Sequence, residues 1–450
     1  MHHIQSGSHN RQPNVARRMC ELGMYAALAA VVASSAAPVL AADSAPADRV
    51  YQLGAKSVME LKVKSVVGPS LQVDAQGRVG VAWMEDDKDV RTVFFARGAE
   101  PGVTIGTPTR INQPDEVPYW RQETPALAVD GDEIYVTWAL THPKLTPEQP
   151  LATQLRLSRS SNGGQSFGPS VLVNDDSGVI QHTFDALHRD TSGRVHVSWI
   201  DARDAQEGKK KESATYAARS MDRGTSVLKN VKVDGGTCVC CRTALASGPD
   251  GTLYVAWRKV YEGEIRETVV ARSLDGGETF SPPVIVGNDK WVFPACPHRP
   301  ASMGVDAQGR LYVVWYTEGV DETPAIFLAT SDDRGETFSP KRQLNTAKNT
   351  FPDHPQLAVD AEGHVVVMWE EQAPVKRDVV ISVSTDRGQT FTAPHKVNDK
   401  KSQTPAVATN ARGQFALGWM EHGMPGHKMV LQTLRFPDVK SAAVHEGPRE

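Results

Sequence analysis

Four of the five cysteines fall in two short stretches, Cys238-Val239-Cys240-Cys241 and Cys296-Pro297-His298. Three thiols within four residues, answered by a fourth thiol and an imidazole farther along, form a donor set for a soft metal ion. Thiolates of this kind select Cu(I) or Zn(II). The reading taken here is copper, with zinc as the alternative, on Cys238, Cys240, Cys241, Cys296, His298 and His354. His182 and the run from Met420 to Met429, which includes His422 and His427, could add imidazole and thioether. Two other chemistries use the same residues. Four cysteines allow three disulfide pairings, and an oxidising compartment would favour them. One bridge to Cys296 leaves two near neighbours, however, and a Cys240–Cys241 bond would be strained. Cys238 and Cys241 also form a Cys-x-x-Cys pair, but the strand and helix of a thioredoxin-like context are missing. The blander readings are a hydrogen-bonded turn for each proline-flanked histidine and a polar surface loop for the Met/His run.

The elements that must position these groups are written in repeats. Ser160-Ser161-Asn162-Gly163-Gly164-Gln165-Ser166-Phe167 has relatives beginning at Ser273, Ser331 and Ser384, with a worn copy at Ser220-Met221-Asp222-Arg223-Gly224. The shared form is Ser-x-Asp-x-Gly-x-Thr-Phe. Its Asp or Asn can accept bonds from the N–H groups of its own turn, its Gly can take φ > 0, and its Phe is expected to anchor the next strand. A second series runs in step: Trp83, Trp138, Trp199, Trp257, Trp315, Trp369 and Trp419. Several of these tryptophans end a strand that follows a Val-Asp-x-x-Gly turn, such as Val305-Asp306-Ala307-Gln308-Gly309. Four short strands per repeat are the content of a propeller blade. The fold class is therefore all-β, a propeller over residues 65–436. Seven repeats are counted, or six blades if the first or last is not a true one. The seventh lacks an outermost strand, which Tyr51–Val63, within the N-terminal segment 42–64, could supply to close the ring.

The Ser-x-Asp-x-Gly-x-Thr-Phe series resembles the Asp box, or bacterial neuraminidase repeat, of sialidase-like β-propellers. The resemblance spans nearly all of the chain from residue 65 to 436. It implies the fold far more strongly than an activity, because the Asp box is a structural turn in that family.

Strand order in a propeller places the loops before each inner strand and after each tryptophan on one face, around the channel mouth. Those loops carry Cys238–Arg242, Cys296–Arg299 and Phe351–His354 as well as Arg258–Tyr261 and Glu370-Glu371. A small-molecule, glycan or protein ligand is expected at this mouth. The seven periodic tryptophans read as packing; Trp120 and Trp291 stand outside the register and read as candidates for ligand contact.

For a sialidase, the resemblance implies three arginines on the substrate carboxylate, a Tyr–Glu nucleophile and an Asp acid/base. Arg121, Arg242 and Arg299 lie at inner-strand starts and could form the trio. Tyr261 or Tyr316, with Glu262, Glu264 or Glu318, and Asp185 or Asp353 could complete the chemistry. The family's Arg-Ile-Pro motif is absent: Arg110-Ile111-Asn112 lacks the proline. Arginines at such positions also serve as ion-pair partners between blades. A glycosidase and a non-catalytic binding propeller therefore stand as the alternatives to the metal reading.

The N-terminus reads as a signal peptide, residues 1–41. Arg17 and Arg18 precede an apolar stretch from Met24 to Leu40, and Val39-Leu40-Ala41 suits cleavage after Ala41. Cys20 precedes the apolar run, the wrong place for a lipoprotein cysteine. Cleavage removes Arg11, Arg17, Arg18 and Glu21, leaving 46 basic and 52 acidic side chains, a net charge of −6. That balance gives no footprint for nucleic acid. A periplasmic or secreted monomer, off the membrane once the signal is cleaved, with a short tail at 437–450, completes the expectation.

Overall fold

The computed structural model describes residues 50–88, 90–119, 124–205, 213–423 and 426–437. The expected signal peptide, Trp120, Arg121 and the tail beyond 437 lie outside the described residues. Among those described, the regular structure is strand, apart from a single 3-10 turn at Glu262–Glu264. No helix among them is long and apolar enough to cross a membrane.

The strands form antiparallel units of four. The first contains Ser65–Val73, Val79–Asp87, Val90–Arg97 and Thr109–Arg110, hydrogen-bonded in that order. Later units repeat the order, with inner strands Ala126–Asp130, His182–Arg189, Ala244–Ser247, Ser302–Val305, Phe351–Val359 and Ser402–Thr409. Each inner strand packs on the next, and Ser402–Thr409 packs back on Ser65–Val73, so the inner strands close a ring around a channel. In the last unit the outermost place is taken by Gln52–Leu61, which pairs with His427–Arg435 from Gln52↔Arg435 to Leu61↔His427. Gln52–Leu61 thus completes the four-stranded sheet of the last unit. Leu61, Leu71, Trp83, Ala406, Met420 and Leu431 share one buried cluster across that junction.

Packing explains the tryptophan series. All seven periodic tryptophans are essentially fully buried, where truncation to Ala typically costs about 3–5 kcal/mol. Trp83, Trp199 and Trp369 each donate their indole N–H to a carboxylate two residues on, Glu85, Asp201 and Glu371. Trp291 is also core. It is 1% exposed, stacks on Phe293 and meets Tyr316 edge-on, which corrects the expectation that it meets a ligand.

The Asp-box turns have one geometry. Each serine Oγ accepts from the glycine N–H, at 2.9 Å for Ser160 and 2.8 Å for Ser220 and Ser331. It also donates to the Asn or Asp side chain, as in Ser273 to Asp275 at 2.7 Å. The worn copy at Ser220 builds the same turn, with Ser226 in place of the threonine. Gly277 takes φ +88°, which explains the invariant glycine of the motif. The phenylalanines lie half-buried against the core just after the turn and are not themselves in a strand.

Two irregularities shape the channel mouth. The inner strands of the first, third, sixth and seventh units carry a bulge. Gly68, Phe184, His354 and Thr404 at these bulges take positive φ. A non-glycine residue in that conformation is strained, and the strain recurs along one rim. The third unit also has a long outer strand, Val231–Thr237, where most others have two residues. Thr237 pairs with Lys259 of the fourth unit and fuses the two sheets. The next residue is Cys238.

Candidate functional site

The thiol group grows out of that fusion. Cys238 N–H donates to Arg258 carbonyl at 2.8 Å, so the crossing chain is pinned to the second strand of the fourth unit. Cys238, Cys240 and Cys241 then turn inward, buried with Phe184 and Ile200 and capped by Val260. Cys238 Sγ lies 3.5 Å from Cys241 Sγ and 3.8 Å from Cys240 Sγ. All four described cysteines are free. The closest pair is far outside a covalent S–S length of about 2.05 Å, so the structural-disulfide expectation is corrected. The short, doubling-back chain brings sulfurs together without the geometry of a bridge.

Two guanidinium groups flank the sulfurs. Arg266 Nη1 donates to Cys238 Sγ at 3.1 Å. Arg258 is 3% exposed, and its Nε and Nη1 are buried without a hydrogen-bond partner. Hydrogen bonds with Cys240 and Cys241, helped by the charge of Arg266, hold the Cys238 thiol far below its ordinary range. Cys240 is pushed up by the same bonds, and Cys241 is pushed up to about 12, chiefly by burial. The negative charge of the cluster thus favours Cys238, where Arg266 donates.

Cys296 and His298 come from the chain leading into the fifth unit, and both are exposed on the mouth. The ligand atoms of Cys240, Cys296 and His298 lie within 4.8 Å of one another, as do those of Cys238, Cys240 and Cys241. Cys240 belongs to both groups. His298 takes φ +53° and sets its ring edge-on to Phe184, 5.8 Å between centroids.

Cys240 and His298 also line a cavity of about 700 Å³. Arg242, His354, Glu370, Arg377 and His422 line it as well, so it spans the inner strands of most units. This is the volume range of small-molecule sites.

The comparisons with known proteins agree with this fold. A family described as a BNR repeat-like domain matches residues 240–418. An ulvan lyase of polysaccharide lyase family 25 superposes with a TM-score of 0.55 at 11% identity, covering 83% of this chain and 95% of that one. The polysaccharide lyase Uly1 gives 0.54 at 12%, covering 82% and 90%. The Hadza microbial sialidase Hz136 gives 0.50 at 14%, covering 84% and 67%. The chain has the fold of the sialidase-like β-propellers. No curated protein sequence matches it, and identities this low establish the fold and not a chemistry.

The propeller separates the expected site residues into three groups. Cys238, Cys240, Cys241, Cys296 and His298 come together. His354 does not join the sulfurs. Its Nδ1 lies 3.4 Å from both Asp353 Oδ1 and Glu370 Oε1. Burial opposes its charge, but the neighbouring carboxylates of Glu370 and Asp353 prevail and raise its pKa. The same wall holds Asp353, whose pKa burial raises and Arg299 partly restores through an ion pair of 3.0 Å. Met420 and Met429 are fully buried in the ring-closing core, so their thioethers are unavailable as ligands. His182 is likewise buried in a separate network with Asp176 and Arg203.

The glycosidase set is dispersed. Arg242 lines the cavity, donates to Thr124 carbonyl and lies beside buried Asp185. Arg299 is turned onto Asp353 and stacks over Tyr316 at 4.4 Å. Tyr316 is fully buried and donates to Glu318 at 2.6 Å, while Tyr261 sits under Lys259, 5.6 Å from its ammonium, and does not line the cavity. Of the expected trio, Arg242 alone is a cavity-lining residue among the described ones. Sequence reasoning missed Arg266 and Arg377. Each begins or nearly begins a third strand, Ile265–Ser273 and Arg377–Ser384, and nothing in the local pattern distinguishes it from a solvent-facing strand residue.

Proposed function

We propose that this propeller is an exported, monomeric soft-metal protein that holds Cu(I), in preference to Zn(II), on the thiolate group at its channel mouth. The supporting observation is that four free cysteines and His298 converge on Cys240 with no disulfide among them. Free thiols in an exported protein would otherwise oxidise or pair; burial and a bound soft ion both protect them. Cys238, Cys240, Cys241, Cys296 and His298 would hold the ion, while Arg258 and Arg266 balance thiolate charge. The cavity beside it, with His354, Arg242 and Arg377, would take the molecule that delivers, receives or reacts at the metal.

Protein exported to the periplasm and purified anaerobically without chelator tests this reading. We expect copper bound per folded chain, and thiols that become titratable only when the metal is removed. Cys240→Ser should lose the metal yet melt cooperatively. Protein from copper-replete cells that carries no metal and takes up no Cu(I) against a weak chelator would overturn the assignment.

A second reading, a glycan ligand in the cavity, has one observation in its favour: a polar cavity in a fold shared with an ulvan lyase and a sialidase. It needs no metal. Glycan binding that survives Cys240→Ser and fails in Arg377→Ala would favour it.

A further inference from the structure

We propose that the thiolate group holds two Cu(I) ions bridged by Cys240. The inner ion would sit on Cys238, Cys240 and Cys241, and the outer ion on Cys240, Cys296 and His298, facing the channel. This rests on reading the group as a soft-metal centre and concerns its nuclearity and division of labour.

Geometry requires the division. A metal–thiolate bond is about 2.3 Å, so three donors around a trigonal ion stand about 4 Å apart. Each triad has its ligand atoms within 4.8 Å of one another, and the sulfur pairs within the inner one measure 3.5 and 3.8 Å. The five donors fall into two such triads and not into one group. One ion can satisfy either triad but not both. Cys240, common to the two, is the natural bridge, since a thiolate sulfur has lone pairs for two soft ions.

Charge points the same way. Three thiolates with one Cu(I) carry −2, and Arg258 and Arg266 lie buried alongside with +2. Zn(II) in the same place would leave the buried assembly at +1. The outer ion brings Cys296 as a further thiolate, so its own charge is cancelled and His298 adds none. Arg258 in particular has two buried nitrogens with no hydrogen-bond partner, a cost that a neighbouring anionic thiolate–metal assembly offsets.

The two positions differ in access. Cys238, Cys240 and Cys241 are buried, whereas Cys296 and His298 are exposed on the cavity side. The inner ion is therefore held and the outer one exchangeable. An incoming donor in the cavity reaches the outer ion by displacing His298, with no change in oxidation state.

Anaerobic titration of the mature, reduced chain with Cu(I), added as its acetonitrile complex against a chromophoric chelator, reads the stoichiometry. We expect two equivalents of different affinity and a copper–copper vector in X-ray absorption. Cys296→Ser and His298→Gln should each drop uptake to one equivalent while the metal-free variants still melt cooperatively. One equivalent in the wild type, unchanged by both variants, would overturn the two-ion assignment and leave the single-ion reading standing. No uptake at all would remove both. The two failures are thus distinguishable.

Discussion

Arg266 decides where charge sits in the thiol group. Its guanidinium, 3.1 Å from Cys238 Sγ, makes a charge-assisted bond of about 1.5–3 kcal/mol, beside the Cys240 and Cys241 sulfurs at 3.8 and 3.5 Å. In the metal-free reduced protein, Cys238 should therefore be ionised at neutral pH and the other two protonated. Ultraviolet thiolate absorbance should show one thiolate per chain at pH 7. Arg266→Met should move its titration midpoint upward, and Cys238→Ser should abolish it. The absence of any thiolate signal at pH 7 would contradict this arrangement. Such a role was not legible in the sequence. Cys238, Cys240 and Cys241 announce themselves by nearness along the chain, but Arg266 is 28 residues away and reaches Cys238 only through strand pairing. His354 shows the opposite failure. It occupies the expected rim, yet the neighbouring Asp353 and Glu370 claim its ring. Sequence spacing gives a residue its rim position and is silent about which neighbour its side chain meets.

At the scale of the element, the Asp-box turn converts a short motif into acid sensitivity. Asp333 accepts from Ser331 Oγ at 2.7 Å and from Thr337 N–H at 2.9 Å and also takes the Thr337 hydroxyl bond. These bonds, the Thr337 side chain first, lower its pKa to about 2, and Asp222 and Asp275 are lowered too. Because the folded pKa lies below the unfolded one, the stabilisation is full above about pH 4 and disappears as pH falls through about 2. Asn162 fills the same role in the first copy without a titrating group, accepting from Ser166 N–H at 3.1 Å. Asp333→Asn should therefore fold normally at pH 7 and show a shallower loss of stability than wild type between about pH 4 and 2 in denaturant titrations. An unchanged acid slope would show that Asp333 is not among the groups responsible. The turns and the tryptophan strands were readable because their bonds lie within five residues of one another. The bulges at Phe184, His354 and Thr404 were not, since a strained φ on a non-glycine residue leaves no compositional mark.

For the whole molecule, stability hangs on closure. Gln52–Leu61 is mostly exposed, and its chief apolar contributions are Leu61 at its end and the preceding Tyr51, both buried. Burying two such side chains is worth about 3–6 kcal/mol. The strand also covers the hydrogen-bonding edge of His427–Arg435. A chain beginning after Leu61 should lose about that much stability in denaturant unfolding and self-associate in a concentration-dependent way on size-exclusion chromatography, as an open sheet edge invites. A truncated chain as stable and as dispersed as the full one would show that closure is dispensable. The missing outermost strand of the last repeat made this pairing legible in advance. The fusion of the third and fourth units through Thr237 and Lys259 was not, because one lateral pair has no sequence signature.

The same closure sets a timetable. Gln52 pairs with Arg435, so an early-made strand has no partner until nearly the whole chain has left the ribosome. Loop-closure entropy delays such a pairing until the other blades have formed. The unpaired strand spends that interval as an adhesive end. A protein built this way depends in its final folding step on whatever keeps that end from finding a different neighbour first.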